Sequence, residues 1–106
     1  MDATTRRRLE TRARVIKAMA HPTRLFLVET LERGERCVRE LTELLDVDVS
    51  TVSRHLAVLR EAGVLGCERR GQQIFYSLRA PCVLGFFACI EGVLNPQEED
   101  APSCGC

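Results

Sequence analysis

The chain has no tryptophan, one tyrosine and four phenylalanines among its 106 residues. That scarcity excludes the aromatic platforms on which proteins stack single-stranded nucleic acid. No apolar run is long enough to span a bilayer, and Met1-Asp2-Ala3 does not open the basic-then-apolar layout of a signal peptide. A cytoplasmic location without membrane contact is therefore expected. The pieces of an active site are missing as well. There is no Cys-x-x-Cys, no Gly-rich phosphate loop, and no catalytic pairing of cysteine with either of the two histidines on recognisable elements. Neither enzymatic activity nor a permanently bound cofactor is expected.

Net charge is absent too, with 15 basic against 15 acidic residues, so the distribution matters more than the sum. Residues 50–79 hold Arg54, Arg60, Arg69, Arg70 and Arg79 against Glu61 and Glu68, whereas residues 80–106 hold no Lys or Arg at all. A basic middle and an acidic end suit a protein that meets phosphate through one face only. A chain of this length makes one domain with little core to spare.

What is present is a succession of helical stripes. Leu9, Ala13, Ile16 and Ala20 recur at steps of four, three and four, which predicts a helix over about residues 5–19. His21-Pro22 interrupts and restarts the chain, with His21 as a cap, since proline is welcome in a first helical turn. Leu25, Phe26, Val28 and Leu31 carry a second helix, which Gly34 closes. Val38–Leu45 predicts a third, short helix and, after Asp46-Val47, residues 48–63 a fourth, with Val52, Leu56 and Leu59 inward and Asp48 or Ser50 as N-cap. Beyond Gly63 the period drops to two. Leu65, Cys67 and Arg69, then Ile74, Tyr76 and Leu78, alternate about a tip at Arg70-Gly71-Gln72, which predicts a β-hairpin with Cys67 packed on the face of Leu65. Pro81 opens a last apolar helix that Asn95-Pro96 ends, and residues 95–106 are expected to be a flexible acidic tail. The fold class expected is mainly α with a β-hairpin wing, a winged helix-turn-helix over residues 1–94. The outward edge of the fourth helix offers Ser, Thr, Arg54 and His55 as donors to phosphates and bases, the arrangement that enters a DNA major groove.

Three segments in order, Ala20-His21-Pro22-Thr23-Arg24-Leu25, Val52-Ser53-Arg54-His55-Leu56 running on to Ala62-Gly63-Val64-Leu65, and Arg69-Arg70-Gly71-Gln72 with Tyr76 and Leu78, resemble the ArsR/SmtB family of bacterial metal-responsive repressors. The resemblance covers about residues 9–94. It implies a homodimer joined through the first and last helices, bound to double-stranded operator DNA until an inducer releases it. By that likeness Ser50, Thr51, Ser53 and His55 face base edges, and Arg69, Arg70 and Gln72 at the wing tip reach the adjoining minor groove or phosphates.

Six cysteines are many for a reducing compartment, which points to metal or redox chemistry rather than a disulfide framework. Cys37 takes the N-cap position of the third helix with Glu40 three residues on, the spacing of a capping box. A thiol is a weak cap, but the helix dipole favours negative charge there, which makes Cys37 a candidate ligand or nucleophile; the competing reading is a small buried apolar residue. In the family this is the first cysteine of a Cys-Val-Cys sensor motif, whose second position here is Arg39. Cys82 and Cys89 lie seven residues apart on one face of the last helix, as ligands or as interface filler. The carboxylate-and-histidine zinc site that the family places on this helix is absent. Cys104-Gly105-Cys106 closes the chain on a tether with an r.m.s. reach of roughly 16–19 Å, enough to carry two thiolates to Cys37, Cys82 or Cys89, unless the end is simply frayed. Three thiolates without histidine suit As(III) or Sb(III), and four would admit cadmium, zinc or lead. The expected function is thus a repressor released by a thiophilic metal(loid). The alternative is a redox or persulfide sensor using the same thiols. A winged helix serving protein–protein contact alone is less attractive, given the basic wing tip.

Overall fold

The structure, a computed structural model, describes residues 1–95. In chain order it has α1 (Ala3–Met19), α2 (Pro22–Leu31), β1 (Arg36–Cys37), α3 (Val38–Leu45), α4 (Val49–Glu61), β2 (Leu65–Arg70), β3 (Gln73–Leu78) and α5 (Val83–Leu94). The expected tail, with Cys104 and Cys106, lies outside the described residues.

Local chemistry accounts for the boundaries. Asp2 accepts the amide of Thr5 at 2.8 Å and starts α1. His21 caps α2 through Nδ1, which accepts the amide of Thr23 at 3.1 Å, and Pro22 follows in the first turn where its missing N–H costs nothing. Cys37 stands at the N-cap of α3, where its amide donates to Glu40 Oε1 at 3.1 Å. The turn between α3 and α4 passes through Asp46 at φ 58°, a left-handed conformation that Asp tolerates better than most side chains. Asp48, rather than Ser50, is the N-cap of α4.

The core forms where the inward stripes of α2, α3 and α4 meet the base of the wing. Leu27, Val28, Leu41, Val52, Leu56, Leu59, Val64 and Leu65 are fully buried, and Tyr76 joins them from β3. Burying a Leu or Val side chain contributes about 1.5–3 kcal/mol, so this cluster is what holds α4 against the body.

Three features depart from the sequence reading. The wing has three strands in the order β1-β3-β2, because Arg36 and Cys37 pair antiparallel with Tyr76 and Phe75. A two-residue strand carries no detectable alternation of its own. The hairpin turns on Gly71-Gln72 alone, with Arg70 paired to Gln73 and Gly71 at φ 65°. Cys67 is exposed rather than packed, since only Leu65 at the base of β2 is buried before the hairpin runs past the helices that cover it. Helix α1 buries Ala18 and Met19, with Val15 leaning on the core, while Leu9 and Ile16 of the sequence stripe remain 39% and 50% exposed. The apolar helix α5 likewise buries nothing completely, and Phe86, Ile90, Val93 and Leu94 face outward.

Candidate nucleic-acid interface

Helix α4 separates two populations of side chains. Val52, Leu56 and Leu59 point into the core, which turns Ser50, Ser53 and Arg54 outward. The wing stands beside this edge. A groove of about 540 Å³ between them is lined by Ser53 and Val49 of α4, Gln72 and Ile74 of the hairpin, and Cys37 and Arg39 at the start of α3. Arg54 enters no hydrogen bond or ion pair recorded among the described residues, so its charge is available to a phosphate. Arg39 and Gln73 also line the groove, and sequence reasoning had given neither a part in DNA contact. Only the three-dimensional nearness of β3 to α3 reveals them.

Five of the expected contacts have other partners. His55 sits on α4 but is half-buried, its Nδ1 accepting from Arg24 Nε at 3.0 Å and its ring 4.5 Å from that of His21. Arg24 in turn donates to the carbonyl of Ala18 at 3.2 Å, so this cluster ties α4 to α2 and to the end of α1. That engagement commits the Nδ1 edge of His55 to a structural link between the helices. Arg70 donates to Glu35 at 2.6 and 3.0 Å and to Glu68 at 2.8 Å, and its guanidinium lies 4.7 Å from the Phe75 ring centroid. Its charge is neutralised within the protein, and it pins the wing to the loop before β1. Arg69 Nε donates to the Gly71 carbonyl at 3.3 Å and braces the turn. Gln72, at the tip, stays exposed. Ser50 and Thr51, at the start of α4, both donate to the Asp48 carboxylate.

The His55 arrangement sets a pH dependence. An Nδ1 that accepts from a guanidinium must carry a lone pair, so the ring is neutral with its proton on Nε2. Burial, then the nearby His21, Arg24 and Arg54, hold its pKa below the ordinary value of 6.5. A group whose folded pKa is depressed in this way takes up protons more readily when unfolded. Its contribution is complete above the ordinary value and is lost as pH falls through the lower folded value. Thermal midpoints should therefore decline between about pH 7 and pH 5, more steeply in the parent protein than in His55→Asn, whose Oδ1 keeps an acceptor that does not titrate there. Parallel declines in the two proteins would show that His55 is not the group responsible.

The four cysteines among the described residues are free thiols. Cys37 is buried and lines the groove, Cys67 and Cys82 are exposed, and Cys89 is half-buried. Cys67 accepts from Arg60 Nη1 at 3.4 Å, and Cys82 holds the N-cap position of α5. Among the described residues no three His, Cys, Asp or Glu side chains are grouped to hold a metal ion. A three-sulfur set would have to draw on Cys104 and Cys106, which lie outside them, or on a second copy of the chain.

The same ordered elements recur in known proteins. The model of the bacterial regulatory protein, arsR family, matches residues 21–65, which run from the α2 cap to the base of the wing. Over 86 residues the chain is 40% identical to the arsenic resistance transcriptional regulator ArsR1 of Pseudomonas putida, covering 80% of this chain and 67% of that protein. The chain belongs to the ArsR family. A biofilm growth-associated repressor of Agrobacterium fabrum is 48% identical over 64 residues, covering 60% of this chain and 55% of its own length, so the chain spans little more than half of that relative. In structure the chain is similar to the homodimeric winged helix-turn-helix DNA-binding domain of a possible ArsR-family regulator from Mycobacterium bovis. The TM-score is 0.78 and the identity 27%, over 93% of this chain and 92% of that one. As an ArsR-family protein this chain is a DNA-binding transcriptional regulator and not an enzyme. No helix among the described residues is long and apolar enough to cross a membrane.

Proposed function

We propose that this ArsR-family chain is a homodimeric repressor that leaves its operator when a thiophilic metal(loid), As(III) or Sb(III), binds its cysteines. The observation that carries the reading is the position of Cys37. Cys37 lines the groove between α4 and the wing, the two elements that would meet DNA, and its backbone belongs to β1, which pairs with β3 of that wing. Whatever draws on that sulfur acts on the spacing of both elements at once. The named role of the Pseudomonas putida relative in arsenic resistance supports the choice of ligand.

Self-association is supported by the apolar surface that the single chain leaves open. Leu9 and Ile16 of α1 and Phe86, Ile90, Val93 and Leu94 of α5 together exceed what isolated surface hydrophobes require, and the Mycobacterium bovis neighbour is a homodimer. A symmetric pair would present two α4 helices to half-sites roughly 34–36 Å apart. The coupling between ligand and DNA is reciprocal, so the operator-bound dimer must hold the inducer more weakly by the same factor.

Native mass spectrometry of the reduced protein with arsenite, antimonite, cadmium and zinc tests the ligand. Arsenite is expected to add mass and protect three thiols per ion, whereas oxidation or persulfide chemistry removes two thiols without added metal. Cys104→Ser/Cys106→Ser protein should need far more arsenite to leave operator DNA, and unchanged release would exclude the tail from the site.

A further inference from the structure

The N-terminal turn of α4 contains two hydroxyl groups whose hydrogens are already committed. Ser50 Oγ lies 2.5 Å from Asp48 Oδ2 and Thr51 Oγ1 lies 2.6 Å from Asp48 Oδ1. An ionised carboxylate only accepts hydrogen bonds, and those same two hydroxyls hold the Asp48 carboxyl below the ordinary carboxylate range. Each hydroxyl has a single hydrogen. Once that hydrogen points at Asp48, what remains on each oxygen is lone pairs.

From this geometry we infer that Asp48 is a specificity-determining positioning residue, which fixes Ser50 and Thr51 as acceptors so that α4 reads exocyclic amino groups, adenine N6 or cytosine N4. The inference rests on the DNA-binding reading above and deepens it. Major-groove edges present N7 and O6 of guanine and O4 of thymine as acceptors, and only the amino groups of adenine and cytosine as donors. A hydroxyl held as an acceptor therefore matches two of the four bases at each contacted position and mismatches the others. Phosphate oxygens are acceptors as well, and the Asp48 charge repels them. The two hydroxyls, with no hydrogen left to donate, are thus unsuited to a phosphate and suited to a base edge, while Arg54, on the next turn, carries the charge that a phosphate takes. A serine and a threonine without Asp48 could rotate to donate or to accept and would discriminate little. The carboxylate removes that freedom before DNA arrives, which is how a rigid contact gains selectivity without the cost of ordering it on binding.

The test is selection of binding sites from a random duplex pool by the full chain, by Asp48→Ala and by Asp48→Asn, with Ser50→Ala/Thr51→Val locating the base pairs under the hydroxyls. Those base pairs should carry adenine or cytosine on the contacted strand in sites selected by the parent protein. Replacing that base by purine or 2-pyrimidinone, which lack the amino group, should weaken parent binding roughly three- to tenfold per position, the worth of one hydrogen bond. Asp48→Ala should lose this penalty and accept guanine or thymine at the same positions. Asp48→Asn, which keeps a cap and one acceptor oxygen, should lose it at one position only and serves as the check on folding. Equal base preferences in the parent and Asp48→Ala, or a parent site with guanine or thymine under the hydroxyls, would overturn the role of Asp48. So would discrimination unmoved by Ser50→Ala/Thr51→Val. Failure of the parent to enrich any sequence, with no salt-dependent duplex binding, would overturn the DNA-binding reading itself, and the role of Asp48 with it.

Discussion

Arg54→Glu is expected to lower operator affinity by roughly a hundredfold or more at 0.1 M salt, because each phosphate contact contributes about 0.9 to the slope of log K against log salt and a dimer loses two. Arg54 is exposed on the outward edge of α4, two positions from Val52 and from Leu56 of the buried stripe, and among the described residues has no hydrogen-bond or ion-pair partner whose loss would unbalance the fold. Stability should stay within about 0.5 kcal/mol of the parent, as for other exposed substitutions. Titrations at several salt concentrations provide a second readout. Arg54→Ala should reduce the slope by about one per protomer, the mark of a lost phosphate contact. Arg70→Ala should cost less than Arg54→Ala, since DNA would have to compete with Glu35 and Glu68 for a guanidinium that already has partners. If Arg54→Glu bound the operator as tightly as the parent, the outward edge of α4 would not be the face that meets DNA.

Two residues along the same helix, Leu56→Ala is expected to do the opposite. Leu56 has no exposed surface and belongs to the cluster that includes Leu27, Leu41 and Leu59. Removing its branched end deletes buried methyl groups and leaves a cavity that the surrounding helices only partly fill, at a cost of about 2–5 kcal/mol. For a domain of this size each kcal/mol corresponds to a shift of about 4–8 °C, so the thermal midpoint should drop by roughly 10 °C or more. Comparison at equal protomer concentration is needed, because a dimer gains apparent stability by mass action. A loss below about 1 kcal/mol would mean that α4 is not seated on the core as the fold requires. Together the two variants separate the functions of one helix: an outer edge that contributes affinity and an inner edge that contributes the fold.

Much of this architecture was legible because it is written in interactions between near neighbours in the chain. The steps of three and four at Val52, Leu56 and Leu59 define a helix, as does the cap geometry at Cys37 and Glu40, whose bond spans three residues. Gly71 marked the turn of the wing, because a tight hairpin needs a residue at ease with positive φ. The outward placement of Ser53 and Arg54 follows from the same periodicity, since fixing the buried stripe fixes its opposite. The apolar residues of α1 and α5 were equally visible, but periodicity says only that they share a face. It does not say whether the chain's own core or another surface covers them, and Leu9 and Ile16 proved to lie outside the core.

The chain's residue order thus determined the helices, the hairpin, the outward polar edge of α4 and the family. The tertiary structure alone decided which of the expected contacts are free. His55 is held by Arg24 across 31 residues of sequence, and Arg70 by Glu35 across 35. The strand formed by Arg36 and Cys37 exists only because Tyr76 and Phe75 lie beside it. The reason is physical. Periodicity and capping record the forces between residues a turn or a pleat apart, whereas a guanidinium chooses its acceptor only after packing has brought distant segments to within 3 Å.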